Sequence, residues 1–252
     1  MELTTSAFFQ NYRVDYFTVD NKRTLRPSKL VDFLQSISVK HSDVVGYDLD
    51  FFKRENLGWL LSHWHIQIHR WPKEGEELLL STWSDQYRRI QADRDFAIED
   101  DQGNEIVYAS SRWVLVDTNL RRPIRPANGF MDPYKFSNCR PLAKERYSMK
   151  KYPNREPDVI METTVTRRDT DTNNHTNNAV YIDWACDTLD EALYETMTLT
   201  DIMVSYEKEC RLGDKVTIET WQEGGTTFSR FRNSDEPSCI YGRIIMQWIP
   251  MA

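Results

Sequence analysis

GEELLLSTW at Gly75–Trp83 and GDKVTIETW at Gly213–Trp221 are two copies of one pattern, 138 residues apart and aligned without a gap. Each opens with a turn-forming glycine and an acidic residue, then runs through β-favouring residues to Thr-Trp. A second tryptophan follows in each half inside another strand-like run, Trp113 in SSRWVLVD and Trp248 in RIIMQWIPM. The intervals Trp83–Trp113 and Trp221–Trp248 differ by three residues, which one loop absorbs. Solenoid units repeat every ~20–50 residues, so this longer spacing marks a duplicated domain.

Upstream of each copy lies one helical pattern. From Pro27 to about Val44, Leu30, Leu34, Ile37 and Val44 recur at helical spacing, and Pro27 suits a first turn. From Asn177 to about Tyr194, Ile182, Ala185, Leu189 and Leu193 form one stripe, with Asn177 or Asn178 as N-cap. Strand patterns follow at Trp59–His69, Glu77–Ser84, Arg89–Glu99 and Ile106–Val116. The second half repeats them at Ile202–Glu209, Lys215–Gln222, Thr226–Arg232 and Ile240–Ile249. One helix followed by antiparallel strands, twice over, predicts an α+β chain in which each sheet wraps a helix. Residues 117–158 hold six of the ten prolines and read as an interdomain connection. The boundary is placed near residue 150, giving domains 1–150 and 151–252.

At 252 residues, 40% hydrophobic and 28% charged, the chain has the composition of a globular protein with room for two cores. No apolar run approaches the roughly 18 residues of a spanning helix, so no membrane role is expected. A net charge of −7 argues against nucleic acid as the main partner. The arginines clustered at Arg88, Arg89 and Arg94, and at Arg121, Arg122 and Arg125, read as solvated surface. Cys139, Cys186, Cys210 and Cys239 show no disulfide or metal spacing, and MELTTSAFFQNYRVDYF shows no secretory pattern; both point to the cytoplasm.

The segment RRDTDTNNHTNNAVYIDW, residues 167–184, is the most polar in the chain. Asp169, Asp171, Asn173 and His175 alternate, so an extended backbone would present all four on one side. A helix N-terminus follows, whose unpaired N–H groups and dipole suit a developing oxyanion. The same residues also make an ordinary capped helix entry, because Asn and Asp bond their own backbone readily. Spacing alone does not choose between these readings. His63, His65 and His69 alternate on a strand as well, yet no carboxylate or cysteine joins them at ligand spacing, so no metal is expected. With no phosphate-cradling glycine loop, no cofactor is expected either.

DTNNHTNNAVYIDW resembles the Asp-x-Asn-x-His-x-Asn-Asn-x-x-Tyr motif of acyl-ACP thioesterases, matching at Asp171, Asn173, His175, Asn177, Asn178 and Tyr181. EKEC at Glu207–Cys210 is similar to that family's Arg-Arg-Glu-Cys segment. NLGWLLSHWHIQIHRWP at Asn56–Pro72 and ASSRWVLVDTNLRRP at Ala109–Pro123 extend the likeness over nearly the whole chain. Thr176 departs from a usual apolar residue. Nothing in the opening residues resembles a plastid transit peptide, which implies a bacterial-type member.

The resemblance implies two tandem hot-dog domains that hydrolyse the thioester of fatty acyl-[acyl carrier protein] to free fatty acid and carrier. It implies catalytic roles for Asp171, Asn173, His175 and Glu209, with the carrier as partner and no cofactor. Cys210 matches a cysteine proposed as a papain-like nucleophile and is the secondary candidate. Neighbouring strand residues face opposite ways, so only one of Glu209 and Cys210 faces the site; the resemblance favours Glu209. By family analogy Leu30, Leu34 and Ile37 line an acyl tunnel, while as residues they read as core in preference to substrate contacts. NKRTLRPSK, residues 21–29, has no Asn-x-His counterpart, so one site per chain is expected. Alternatives are an acyl-CoA thioesterase of the same fold and a non-catalytic carrier-binding hot-dog protein. Either a monomer or a homodimer fits, since the tandem already pairs two such domains.

Overall fold

A computed structural model of the chain describes residues 7–135, 147–172 and 174–251. Cys139 and Asn173 lie outside the described residues. The chain divides into two compact units, Met1–Arg146 and Tyr147–Ala252.

The first unit runs β1 (Ala7–Arg13), α1 (Pro27–Val44), α2 (Leu49–Glu55), β2 (Leu57–Ile68), β3 (Glu77–Arg88), β4 (Gln91–Glu99), β5 (Glu105–Asp117) and the short β6 (Arg122–Pro123). Its antiparallel sheet has the order β1-β3-β4-β5-β2, with β6 on the end of β5. The second unit runs β7 (Val159–Thr164), α3 (Val180–Asp187), α4 (Glu191–Thr196), β8 (Met197–Tyr206), β9 (Lys215–Glu223), β10 (Thr226–Asn233) and β11 (Ile240–Pro250). Its sheet order, β7-β9-β10-β11-β8, is the same strand for strand.

The repeated nonapeptides are the starts of β3 and β9. Leu78, Leu80 and Thr82 are buried in one, Val216, Ile218 and Thr220 in the other, so alternate positions carry the core of each unit. Thr220 meets Thr188, at the end of α3, at 2.7 Å between hydroxyls. Trp83 and Trp221 alternate to the opposite face. There Trp83 packs with Ala97 and Tyr108, and Trp221 with Met203, Phe228 and Ile245.

Helix α1 spans the predicted residues, with Pro27 in its first turn. Leu30, Val31, Leu34 and Ile37 are fully buried, each contributing about 1.5–3 kcal/mol of apolar burial. Gly46 ends it at φ +91°, the left-handed step that glycine takes without a Cβ penalty.

The second helix departs from expectation. One helix to Tyr194 is replaced by α3 and α4, because Asp190 turns its side chain to the Ala192 N–H at 2.8 Å and starts a new helix. Nor does either asparagine cap α3: Ala179 is the N-cap, and Asn177 Oδ1 accepts the Ala179 N–H one step ahead of the helix.

Strand β8 ends at Tyr206, short of the predicted Glu209. The N–H groups of Glu207 and Lys208 both converge on the Tyr241 carbonyl, at 2.8 and 3.2 Å, a bulge that bends the chain out of the ladder. The first unit has the same bulge, with His69 and Arg70 on the Ile106 carbonyl.

The arginine cluster near β4 is not all solvated. Arg94 is buried, its Nη1 donating to His41 Nδ1 at 2.8 Å and to Thr82 Oγ1 at 3.1 Å. Tyr134, from the proline-rich connection, is buried beside it and bonds Ser42, so the start of that connection belongs to the first unit's core. Among the described residues no helix is long and apolar enough to cross a membrane.

Candidate active site

The polar loop before α3 is built in two turns. Thr166 caps a 3-10 turn over Arg167–Asp169, its N–H and hydroxyl both reaching Asp169 Oδ2 at 2.7 and 2.6 Å. Asp169 is therefore spent on capping and leaves the alternating row. A second turn follows. Asp171 N–H donates to the His175 carbonyl at 2.8 Å, Asn174 N–H to the Asp171 carbonyl at 3.1 Å, and Asn174 sits at φ +61°. The expected extended presentation is thus replaced by a tight turn. Asp171 Oδ1 accepts the backbone N–H of His175 at 3.2 Å, so this carboxylate fixes the histidine's backbone.

The loop is tied to the segment that leaves β8. Thr176 donates twice to the Cys210 carbonyl, from its N–H at 2.8 Å and its hydroxyl at 3.0 Å, and His175 pairs with Arg211 as an isolated bridge. These bonds put the two motif segments side by side. His175 Nε2 lies 3.4 Å from Glu209 Oε2, with side chains 26% and 33% exposed. That separation is an ion-pair contact, long for a hydrogen bond. Both side chains are thus partly exposed to solvent.

Cys210 faces the other way. It is 1% exposed, and burial pushes its thiol up to about 11, among the hydroxyls of Thr176, Tyr181 and Tyr241. Only Glu209 of the adjacent pair meets the imidazole. Tyr206 donates its hydroxyl to the Asn178 carbonyl at 2.8 Å, pinning the approach to α3 against the end of β8. The N–H groups offered for an oxyanion are partly taken: Ala179 N–H by Asn177 Oδ1, and Val180 N–H by the Asn177 carbonyl.

Arg211 was not singled out in the sequence. Its Nη2 donates to Glu209 Oε2 at 2.8 Å, the same oxygen that faces His175. Spacing offered no signal, because the pairing depends on the turn that follows. There Arg211 N–H bonds Asp214 Oδ2 at 2.9 Å and Gly213 takes φ +90°.

The first unit carries the same loop without the same chemistry. Asp20 N–H bonds the Thr24 carbonyl, Leu25 N–H the Pro72 carbonyl, and Thr24 bridges Lys73. Those bonds match Asp171 with His175, Thr176 with Cys210, and His175 with Arg211. Thr24 thus stands where His175 stands, Trp71 corresponds to Glu209, and Lys73 to Arg211.

Leu30, Leu34 and Ile37 are fully buried in the first unit's core, so an acyl chain reaches them only if that packing opens. An open cleft of about 350 Å³ in the second unit is lined by Met149, Lys150, Tyr152, Ser205, Arg230 and Arg243, none of them a site residue. His63 Nδ1 lies 3.0 Å from the Ser62 hydroxyl, and His69 Nε2 is 3.9 Å from Glu105. Among the described residues no three His, Cys, Asp or Glu side chains gather as metal ligands.

Known proteins resemble this chain along most of its length. Residues 5–134 match the model of the acyl-ACP thioesterase N-terminal domain and residues 152–249 that of the acyl-ACP thioesterase C-terminal domain. The chain is 27% identical over 241 residues to oleoyl-acyl carrier protein thioesterase 1, chloroplastic, of Arabidopsis thaliana, covering 88% of this chain and 67% of that protein. It is 25% identical over 217 residues to palmitoyl-acyl carrier protein thioesterase, chloroplastic, of the same plant, covering 81% and 52%. The chain spans about two thirds or less of the length of these relatives. Among solved structures, an acyl-ACP thioesterase from Bacteroides thetaiotaomicron superposes with a TM-score of 0.86 at 23% identity, over 97% of this chain and 98% of that one. The 12:0-ACP thioesterase from Umbellularia californica gives 0.89 at 21% identity, over the full length of both. These likenesses identify the fold as two tandem hot dogs. Both halves carry the family's domains in order, and the chain belongs to the acyl-ACP thioesterase family.

Proposed function

We propose that this chain hydrolyses the thioester of fatty acyl-[acyl carrier protein] in the cytoplasm, releasing the free fatty acid and the carrier. The observation that carries the reading is the meeting of His175 with Glu209, at 3.4 Å and partly open, in a member of this family. Glu209, assisted by His175, takes a proton from a water that attacks the thioester carbonyl. Such general-base help is typically worth ~10²–10⁴ in rate. Negative charge on the carbonyl oxygen is received by the Asn173 amide and by the positive end of α3, where one lost donor costs roughly 2.7–4 kcal/mol. Asp171 holds the His175 backbone and hence the direction of its ring. Cys210, buried and with its thiol pushed up to about 11, is left to packing.

The test is release of free fatty acid by the purified chain from acyl-ACP of about eight to eighteen carbons, beside acyl-CoA of the same lengths. Hydrolysis of acyl-ACP, preferred over acyl-CoA and abolished by Glu209→Gln, supports the reading. Hydrolysis of neither substrate at any length would overturn it. Preference for acyl-CoA would reassign the carrier.

A further inference from the structure

The Glu209 carboxylate has two partners on one oxygen, the His175 imidazole at 3.4 Å and the Arg211 guanidinium at 2.8 Å. A base serving the reaction proposed above needs two things from its surroundings. It must stay ionised, and it must present its oxygen toward the histidine in one orientation. A cation placed two residues along the chain, at the start of the turn that follows, supplies both.

The turn leaves Arg211 little choice of place. Its backbone is held twice, by the bridge to His175 and by Asp214 Oδ2, which accepts its N–H. Asp214 Oδ2 also accepts the Tyr241 hydroxyl at 3.1 Å, so the turn is anchored on β11. The guanidinium therefore starts from a fixed point beside the imidazole, and Glu209 is the acid it reaches. The corresponding cation of the first unit shows the alternative. Lys73, with Trp71 in place of the carboxylate, donates to the Thr24 hydroxyl at 2.6 Å instead. Charge at this turn therefore goes to whichever group stands at the site.

We propose that Arg211 is a positioning residue for hydrolysis: its guanidinium holds Glu209 Oε2 toward His175 and keeps that carboxylate in its charged form. This rests on the reading of Glu209 as the base. Glu209 meets the charged or titratable groups of His175, from the loop ahead of α3, and Arg211, before β9; beyond them Asp171 bonds the His175 backbone, and Asp214 bonds the Arg211 backbone and the Tyr241 hydroxyl of β11. Arg211 is the cation among them that carries its charge at every working pH. With side chains 47% and 33% exposed, the pair is screened by water, so its effect on the carboxylate is modest.

The experiment compares wild type with Arg211→Gln, Arg211→Lys and Glu209→Gln in acyl-ACP hydrolysis from pH 5 to 9, with circular dichroism to confirm folding. Arg211→Gln should lower kcat about three- to ten-fold with little change in KM, because positioning acts on the reacting geometry. It should also move the acid limb of the kcat profile upward by about half a pH unit, the sign expected when a cation beside a carboxylate is removed. Arg211→Lys should restore part of both. A structural role for Arg211 would lower the folded fraction without moving the limb. If Glu209→Gln abolishes turnover while Arg211→Gln keeps the wild-type kcat and profile, or raises kcat, this proposal is wrong and the base assignment stands. If Glu209→Gln turns over like wild type, both fall together.

Discussion

Thr24 and His175 hold the same place in the two halves of the chain: each returns its carbonyl to an aspartate N–H across a tight turn, and each bridges a cationic residue. Duplication kept the backbone device and changed the side chain. The imidazole meets a carboxylate, whereas the threonine hydroxyl meets Lys73.

This asymmetry predicts opposite outcomes for equivalent substitutions. His175→Ala should lower turnover by about 10²–10⁴, the usual range for a lost acid–base partner. Thr24→Ala should leave turnover within two-fold, since Trp71 stands where the base would be and no chemistry runs there. Steady-state release of free fatty acid measures both. Equal losses from the two changes would mean that the halves share the reaction.

Cys210 gives a second prediction. A thiol that titrates near 11 is only about 10⁻³–10⁻⁴ thiolate at neutral pH, and this one is 1% exposed. Iodoacetamide applied to the native protein should leave Cys210 unlabelled, as read by peptide mass mapping. Cys210→Ser should retain most of the turnover. Labelling of Cys210 in step with loss of activity would instead make it the nucleophile.

Much of the scaffold was legible in the sequence. The two nonapeptides share burial at every position but Leu79 and Thr217, so their alignment predicted two equivalent units, and the stripe Leu30, Leu34, Ile37 behind Pro27 predicted α1 to its ends. Edge strands β1 and β7 leave no such signal. An edge pairs on one side only, and VIMETT at Val159–Thr164 is exposed or half-exposed throughout, so it carries no buried alternation to read. The break at Asp190 was missed because a capping side chain competes locally with a helical stripe that continues past it. The bulge at Glu207 and Lys208 needs a carbonyl on another strand, which no local pattern encodes. At the site, the motif's family likeness named His175 and Glu209, but their separation came from the Thr176–Cys210 bonds, and Arg211 emerged only with the turn beyond them.

Stability in acid depends on His41 in the first unit. This residue is 2% exposed, its ring stacked on Phe8 and edge-on to Tyr134. Arg94 Nη1 donates to Nδ1 at 2.8 Å, so Nδ1 is the acceptor and the ring's one proton sits on Nε2. A second proton would set two donors face to face in a buried site. Burial, and then the Arg94 charge, lower the folded-state value to about 3, against 6.5 for the free side chain. Above pH 6.5 the ring is neutral in both states and adds no pH dependence. Between about 6.5 and 3 the unfolded chain takes up a proton that the folded chain refuses, so stability falls as pH falls. The accumulated loss near pH 3 is on the order of a few kcal/mol. His41→Gln keeps an acceptor for Arg94 without the titration. Urea midpoints measured every half unit from pH 7 to 4 should therefore decline more steeply for wild type than for the variant, the difference opening below about 6.5. Parallel curves would mean that His41 accepts its proton inside the fold, and that Arg94 turns away to allow it.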